Sequence, residues 1–342
     1  MIIMNNDYNH GAHPEVLKAL MEYNEEAYIG YGMDPWCEKA EAEIKKYLNQ
    51  PQAKVHFLLG GTQANYTSIA AMLKPYQSVV CAESGHINGH ETGAVENTGH
   101  KLIQLPHENG KITADQIDAK VDEFATCPAW EHITQPKMVY ISYPTEFGTL
   151  YTKEELHAIR KVCDERGLYL FVDGARMAYG LAAGDVTLAD IAAVSDAFYC
   201  GGTKCGTLFG EALVLCNPDF QDDFRYYIKQ NGAMLAKGWI LGLQFYTMFK
   251  DGLYFEVGNQ AIAYAMDIKK AFIEKGIAQF IDSPTNQQFF VLNQMQMDKL
   301  AEQFVYEYIE KVDEEHHCIR FCTSWSTKRE EVDALISCIE AL

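Results

Sequence analysis

From residue 54 onward, short apolar runs alternate with amphipathic stretches of ten or more residues, and this alternation limits the possible folds more than any other feature. The runs predict strands at 55–59, 78–82, 101–105, 137–142, 168–172, 197–200 and 212–215. The stretches between them predict helices at 63–73, 113–124, 152–166 and 187–193. Strands separated by helices form an α/β domain on a mainly parallel sheet, because parallel neighbours need a long crossover. Functional groups of such a sheet collect at the carboxyl ends of its strands. Thr113 with Gln116, Thr152 with Glu155 and Thr327 with Glu330 have the spacing of capping boxes.

The flanking segments differ. Helical periodicity is expected at 14–26, with Pro14 suited to a first turn, and again at 36–48. Between them lies the aromatic, glycine-rich loop 28–35. After residue 216 the helices lengthen, to 218–230, 232–249 and 252–275. A smaller α+β set follows: strand 288–293, helix 296–309, strand 319–323 and helix 327–341. The expected organisation is a large α/β domain at 51–250 and a small α+β domain at 251–342, with the helices of 1–50 packing with the small domain. A chain of 342 residues suits one large and one smaller domain.

Composition excludes several classes of function. A net charge of -19, from 47 acids against 28 bases, repels polyanions, so no nucleic-acid partner is expected. The apolar stretches fall short of the roughly 20 residues that span a bilayer, so no membrane partner is expected. The N-terminus lacks a basic leader, and a cytoplasmic location is expected. The ten cysteines sit in core-like runs without zinc-site spacing. They read as free thiols, and no metal is expected.

Three features carry chemistry. Gly60-Gly61-Thr62-Gln63-Ala64-Asn65 follows one predicted strand and opens a helix, where free N–H groups and the helix dipole favour an anion such as phosphate. A plain turn with a helix cap fits the same residues. Asp173 ends an apolar run and must be paired to stay charged. Its partner is either a protonated heterocyclic nitrogen or a neighbour such as Arg176. Lys204, in Gly201-Gly202-Thr203-Lys204-Cys205-Gly206, is a solvent-exposed turn lysine or an amine whose basicity falls beside a cationic cofactor. Together, an anion cradle, a strand-end carboxylate and a glycine-framed lysine are the contacts that pyridoxal 5′-phosphate requires. His86 follows the strand at 78–82, where its ring stacks on a planar cofactor, acts as an acid or base, or merely packs in a loop. Arg320, on an apolar late strand, binds a substrate carboxylate or pairs within the protein.

Asn6-Asp7, Tyr31-Gly32-Met33-Asp34-Pro35, Gly61-Thr62-Gln63-Ala64-Asn65, His86, Val172-Asp173-Gly174-Ala175-Arg176 and Lys204, in this order, resemble the low-specificity L-threonine aldolases. The resemblance covers essentially the whole chain and implies a fold-type-I enzyme dependent on pyridoxal phosphate, beside the β-eliminating lyases. It implies that Lys204 holds the cofactor as a Schiff base and that Asp173 pairs with its ring nitrogen. Arg176 is then expected at the phenolic oxygen, Gly61 and Thr62 at the phosphate with Thr203 also near the cofactor, and His86 on the ring. Asn6 and Arg320 are expected to hold the substrate carboxylate, with Tyr31 in the substrate site. His132, before the strand at 137–142, stands where a family histidine lies near the substrate hydroxyl.

The implied reaction is aldol cleavage of threonine, allo-threonine or a related β-hydroxy-α-amino acid to glycine and an aldehyde, with His86 or His132 as base. The alternative is a β-eliminating lyase or an aminotransferase-like enzyme. The resemblance also implies a homodimer or homotetramer with shared sites, to which the loop 28–35 contributes. Three local departures bear on substrate choice: Ser142-Tyr143-Pro144-Thr145-Glu146-Phe147-Gly148 replaces the family's Glu-Asn-Thr-His-Asn-Gly, the lysine loop differs from the common Ser-Lys-Gly form, and Leu235 replaces an arginine that reaches a neighbouring subunit's phosphate. Lys237 stands two residues from that position.

Overall fold

A computed structural model describes all 342 residues. Its centre is a seven-stranded sheet, in spatial order Lys54–Leu58, Glu211–Leu215, Ala197–Gly201, Tyr169–Asp173, Gln135–Ser142, Gln77–Ala82 and Leu102–Leu105. All strands point the same way except Glu211–Leu215, which runs antiparallel to both neighbours. The mainly parallel sheet is therefore as the alternation predicts. The reversed strand follows Ala197–Gly201 through the loop 202–210, which keeps Lys204 at the carboxyl end of the sheet.

Both faces of this sheet are covered, and the period-two alternation of a strand assigns successive residues to opposite cores. Val80, Val139, Leu170 and Phe198 enter one buried cluster, and their neighbours Val79, Met138, Phe171 and Tyr199 enter the other. Adjacent strand ends crowd closely: a Cβ on Gly174 would stand 1.9 Å from the Tyr199 carbonyl oxygen, so only glycine fits after Asp173.

The small domain is a four-stranded antiparallel sheet, Glu307–Lys311, His316–Cys322, Gln287–Asn293 and Gln279–Ile281, covered by Leu253–Glu274 and Arg329–Glu340. Two expectations change here. The helix expected at 296–309 ends at Ala301, and Phe304-Val305-Tyr306-Glu307-Tyr308 continues as extended chain. Its aromatic and alternating character belongs to a strand surface. The helix expected at 232–249 starts only at Trp239, because Gly232 takes a left-handed φ of 69° just beyond helix Phe224–Gln230.

The assignment of 1–50 to the small domain holds only for its first residues. Ile2–Ile3 pairs with Phe304–Val305, and Met4 is buried in the small-domain core. Helices Pro14–Tyr23 and Pro35–Lys45 instead bury Val16, Ala40 and Ile44 in the core of the large domain. Helix Leu253–Glu274 joins both bodies, with Val257 and Ala261 in the large core and Ile268 and Phe272 in the small one. The division expected at residue 250 thus falls just ahead of a helix that both domains share.

Candidate active site

Asp173 ends its strand beneath a set of donors. Its Oδ2 accepts from Tyr140 Oη at 2.5 Å and Asn65 Nδ2 at 3.0 Å. Its Oδ1 accepts from Tyr199 Oη at 2.5 Å and the Ala175 amide at 2.9 Å. Burial alone would push this carboxyl up, but the His86 charge and these hydrogen bonds outweigh it and hold the acid below its ordinary value. A charged carboxylate is thus fixed at the strand end, facing the first turn of helix Gly61–Met72.

That helix begins without a side-chain cap, so its leading N–H groups at Gly61, Thr62 and Gln63 have no helical acceptor. This is the anion-binding geometry expected of Gly61 and Thr62. Asn65, one turn on, also donates to Glu91 Oε1 at 2.7 Å. The same oxygen lies 2.8 Å from His86 Nδ1. Asp173, Asn65, Glu91 and His86 therefore form one connected network. Burial lowers the His86 imidazole, but the Glu91 hydrogen bond and the Asp173 charge reverse this and raise it. The His86 amide donates to Glu146 Oε1 at 2.9 Å, and burial pushes the Glu146 carboxyl up.

The Lys204 loop is clamped from below. Glu211, buried at the start of the reversed strand, accepts from the Gly202 amide at 3.0 Å and from Thr203 Oγ1 at 2.8 Å. The Thr203 hydroxyl also accepts from the Gly210 amide at 3.0 Å. These two bonds use its proton and one lone pair, and they tie Thr203 into the shape of the loop around Lys204. Burial pushes the Glu211 carboxyl up to about 8. The Lys204 amine makes no side-chain hydrogen bond, and burial with the Arg176 charge lowers its basicity. Such an amine is a better nucleophile near neutral pH than an ordinary lysine.

Arg176, three residues beyond Asp173, is held from the N-terminal segment. Its Nε and Nη2 reach the two Asp7 oxygens at 2.6 and 3.0 Å, and Asn286 Nδ2 adds a bond at 2.9 Å. Arg320 has no acidic partner. Its Nη1 donates to Gln287 Oε1 at 3.0 Å and its Nη2 to the Asn5 carbonyl at 2.9 Å, while its buried Nε is unpartnered. Asn6 follows Asn5 directly, with its Oδ1 taking the Tyr8 amide at 3.0 Å.

Two expected site residues lie elsewhere in this chain. His132 is exposed on the turn Trp130–His132, before strand Gln135–Ser142, whose far end carries Ser142 opposite Asp173. Eight strand residues at about 3.3 Å each separate it from Asp173 of its own chain. Tyr31 adopts a left-handed φ of 64°, lies under Lys229 Nζ at 5.0 Å, and offers its carbonyl to Arg225. Neither contact leads to Asp173 or Lys204. Asp34 and Pro35 of the same motif are accounted for by capping: the Asp34 carboxylate accepts the Trp36 and Cys37 amides, with Pro35 in the first turn.

The structure adds Asp7, Tyr140, Glu91, Glu146, Tyr199, Glu211 and His90 to the neighbourhood, none of them assigned a role from sequence. No group of three His, Cys, Asp or Glu side chains is placed to hold a metal ion, and all ten cysteines are free. No single helix is long and apolar enough to cross a membrane.

Comparison with known proteins matches residues 11–305 to the beta-eliminating lyase family. A low specificity L-threonine aldolase of Pseudomonas aeruginosa is 30% identical over 332 residues, covering 95% of this chain and 93% of its own length. The solved threonine aldolase of Leishmania major superposes with a TM-score of 0.97 at 40% identity, covering 100% of this chain and 99% of its own. At 14% identity, an N-succinyldiaminopimelate aminotransferase of Mycobacterium tuberculosis still gives a TM-score of 0.73, over 99% of this chain and 92% of its own, which shows the shared fold alone.

Proposed function

Because this chain belongs to the beta-eliminating lyase family, in the fold-type-I group with the low-specificity L-threonine aldolases, we propose that it cleaves threonine, allo-threonine or a related β-hydroxy-α-amino acid to glycine and an aldehyde. The observation that carries the reading is a lysine amine without a hydrogen-bond partner, at the same carboxyl end of the sheet as a charged strand-end carboxylate and an uncapped helix. The similarity to named threonine aldolases favours aldol cleavage over β-elimination.

The residues present fit pyridoxal 5′-phosphate. Lys204 would hold it covalently, Asp173 would face its ring nitrogen, and the N–H groups at Gly61 and Thr62 would receive its phosphate. The unpartnered Arg320 Nε leaves a cation for the substrate carboxylate. When bound, the cofactor supplies an electron sink for the pair released at the substrate's Cα.

The chain's own part is positioning and proton handling. Asp173 keeps its charge because four donors surround it, so a positive group opposite it is stabilised in a site shielded from water. Lys204, with its lowered basicity, gives up its proton easily, then serves as the nearby amine that can accept or return one at Cα. Arg320, fixed in its plane by Gln287 and Asn5, orients the amino acid through its carboxylate. We further propose a homodimer or homotetramer in which the exposed Tyr31 and Lys237 reach a neighbouring subunit's site.

The test is direct. Purified with added cofactor, the protein should show the visible absorbance of a lysine-linked chromophore, and Lys204→Ala should lack it. Threonine and allo-threonine should release acetaldehyde and glycine. Pyruvate and ammonia from serine as the main products would instead establish the lyase.

A further inference from the structure

His90 ends the short helical turn His86–Gly89, its amide bonded to the His86 carbonyl at 2.9 Å. One turn of helix brings the two rings together, with centroids 5.6 Å apart. The roles of the pair diverge. His86 Nδ1 is engaged by the buried Glu91 carboxylate, whereas the His90 ring makes no hydrogen bond and is exposed.

We propose that His90 is the general base of the reaction, taking the proton from the substrate's β-hydroxyl as the Cα–Cβ bond breaks. This rests on the aldol reading above. The O–H electron pair becomes the second bond of the aldehyde carbonyl. The Cα–Cβ pair stays on Cα, drawn toward the cofactor, until a proton is delivered there. In the reverse direction the His90 imidazolium returns its proton to the new hydroxyl.

Electrostatics separates the two rings. His90 is lowered by burial first, then by the charges of His86, Arg320 and Lys204, with only Glu91 opposing. Its ring is therefore neutral near pH 7 and able to accept a proton. His86, raised by Glu91 and Asp173, holds its proton more tightly and is less available as a base. Geometry places His90 beside the site: its ring lies 5.6 Å from that of His86, which Glu91 and Asn65 link to Asp173. Of the two adjoining rings, only that of His90 has no hydrogen-bond partner within the protein and is open to a substrate hydroxyl. His132, which the sequence offers for this task, lies at the opposite end of its strand.

The experiment compares cleavage with solvent exchange of the glycine α-proton, which needs Lys204 and the cofactor but no base for a hydroxyl. His90→Phe and His90→Gln holoenzymes should lose about 10²–10⁴-fold in aldehyde release and keep glycine exchange. The acid limb of the wild-type kcat profile, set by His90 protonation, should disappear in both. In protein without cofactor, the His90 ring resonances should titrate below the ordinary imidazole range. Cleavage within threefold of wild type in either variant overturns the proposal. So does a parallel loss of cleavage and exchange, which marks a structural role, or a His90 titration above the ordinary range. Wild-type holoenzyme that exchanges glycine but cleaves no β-hydroxy-amino acid overturns the aldolase reading itself, and the base role with it.

Discussion

Asp7 and Arg176, far apart in the chain, form a two-pronged ion pair across the domain junction, Nε to Oδ2 at 2.6 Å and Nη2 to Oδ1 at 3.0 Å. Asp7 follows a segment that belongs to the small domain, whereas Arg176 lies three residues beyond Asp173 at the end of its strand. The pair therefore locks the N-terminal segment against the floor of the site. Burial by itself raises the Asp7 carboxyl, but the charges of Arg176 and Lys204 overcome it and the net shift is downward.

Removing this carboxylate should strand a buried guanidinium. Asp7→Ala is expected to lose about 3–5 kcal/mol in chemical denaturation, and Asp7→Asn less because the amide retains polar contact. The sign with pH follows from the lowered folded value. The pair's contribution is complete above the ordinary carboxylate range and fades as pH falls through the folded value. Acid denaturation of Asp7→Ala should thus be less steep than that of the wild type.

Asp173 makes a sharper case for chemistry over packing. Asp173→Ala should retain bound cofactor while kcat falls by about 10²-fold or more, since the charge that steadies the electron sink is gone. Spectroscopic titration of cofactor binding together with single-turnover rates separates the two effects. Stability should fall as well, because Tyr140, Tyr199 and Asn65 lose an acceptor at a cost of about 1–3 kcal/mol for each donor left unsatisfied.

Much of this site is readable in the sequence because its parts are local: an apolar strand followed by Asp173, a glycine-rich turn holding Lys204, a helix start at Gly61. What is not readable is long-range partnership. Glu91 and Asp7 look like any acids until the fold sets His86 and Arg176 against them. Tyr140 and Tyr199 read as core aromatics, and only the registration of three parallel strands points their hydroxyls at one carboxylate. His132 is instructive: strand polarity places a residue that precedes a strand at the amino end, away from Asp173 of the same chain, which a motif resemblance does not show. The strands around 304–311 were obscured differently, since a helix pattern ran into them without a glycine or proline to mark the change.

The His86–Glu91 contact predicts a titration. The His86 imidazole should titrate above the ordinary histidine range, and Glu91→Gln should bring it down, read from its ring resonances against pH. The stability linked to this pair runs opposite to that of Asp7. It is complete below the ordinary histidine value and is lost as pH rises through the raised folded value. In Glu91→Gln that alkaline decline should disappear, and the donor from Asn65 should still find an acceptor in the new amide.

Arg320 offers the cleanest separation of binding from chemistry. Two of its nitrogens are committed to Gln287 and the Asn5 carbonyl, which fix the guanidinium plane, and it forms no ion pair, although Glu307 faces it across the strand. Its buried Nε would gain a partner only when an anion arrives. Charge-assisted hydrogen bonds contribute about 1.5–3 kcal/mol, so Arg320→Ala should raise KM for a free amino acid by roughly 10- to 100-fold. An amino alcohol lacking the carboxylate should bind both proteins equally. Arg320→Lys keeps the charge but not the fork, and should recover only part of the affinity. Equal loss for the acid and the alcohol would assign Arg320 to the architecture of the strand and not to the substrate.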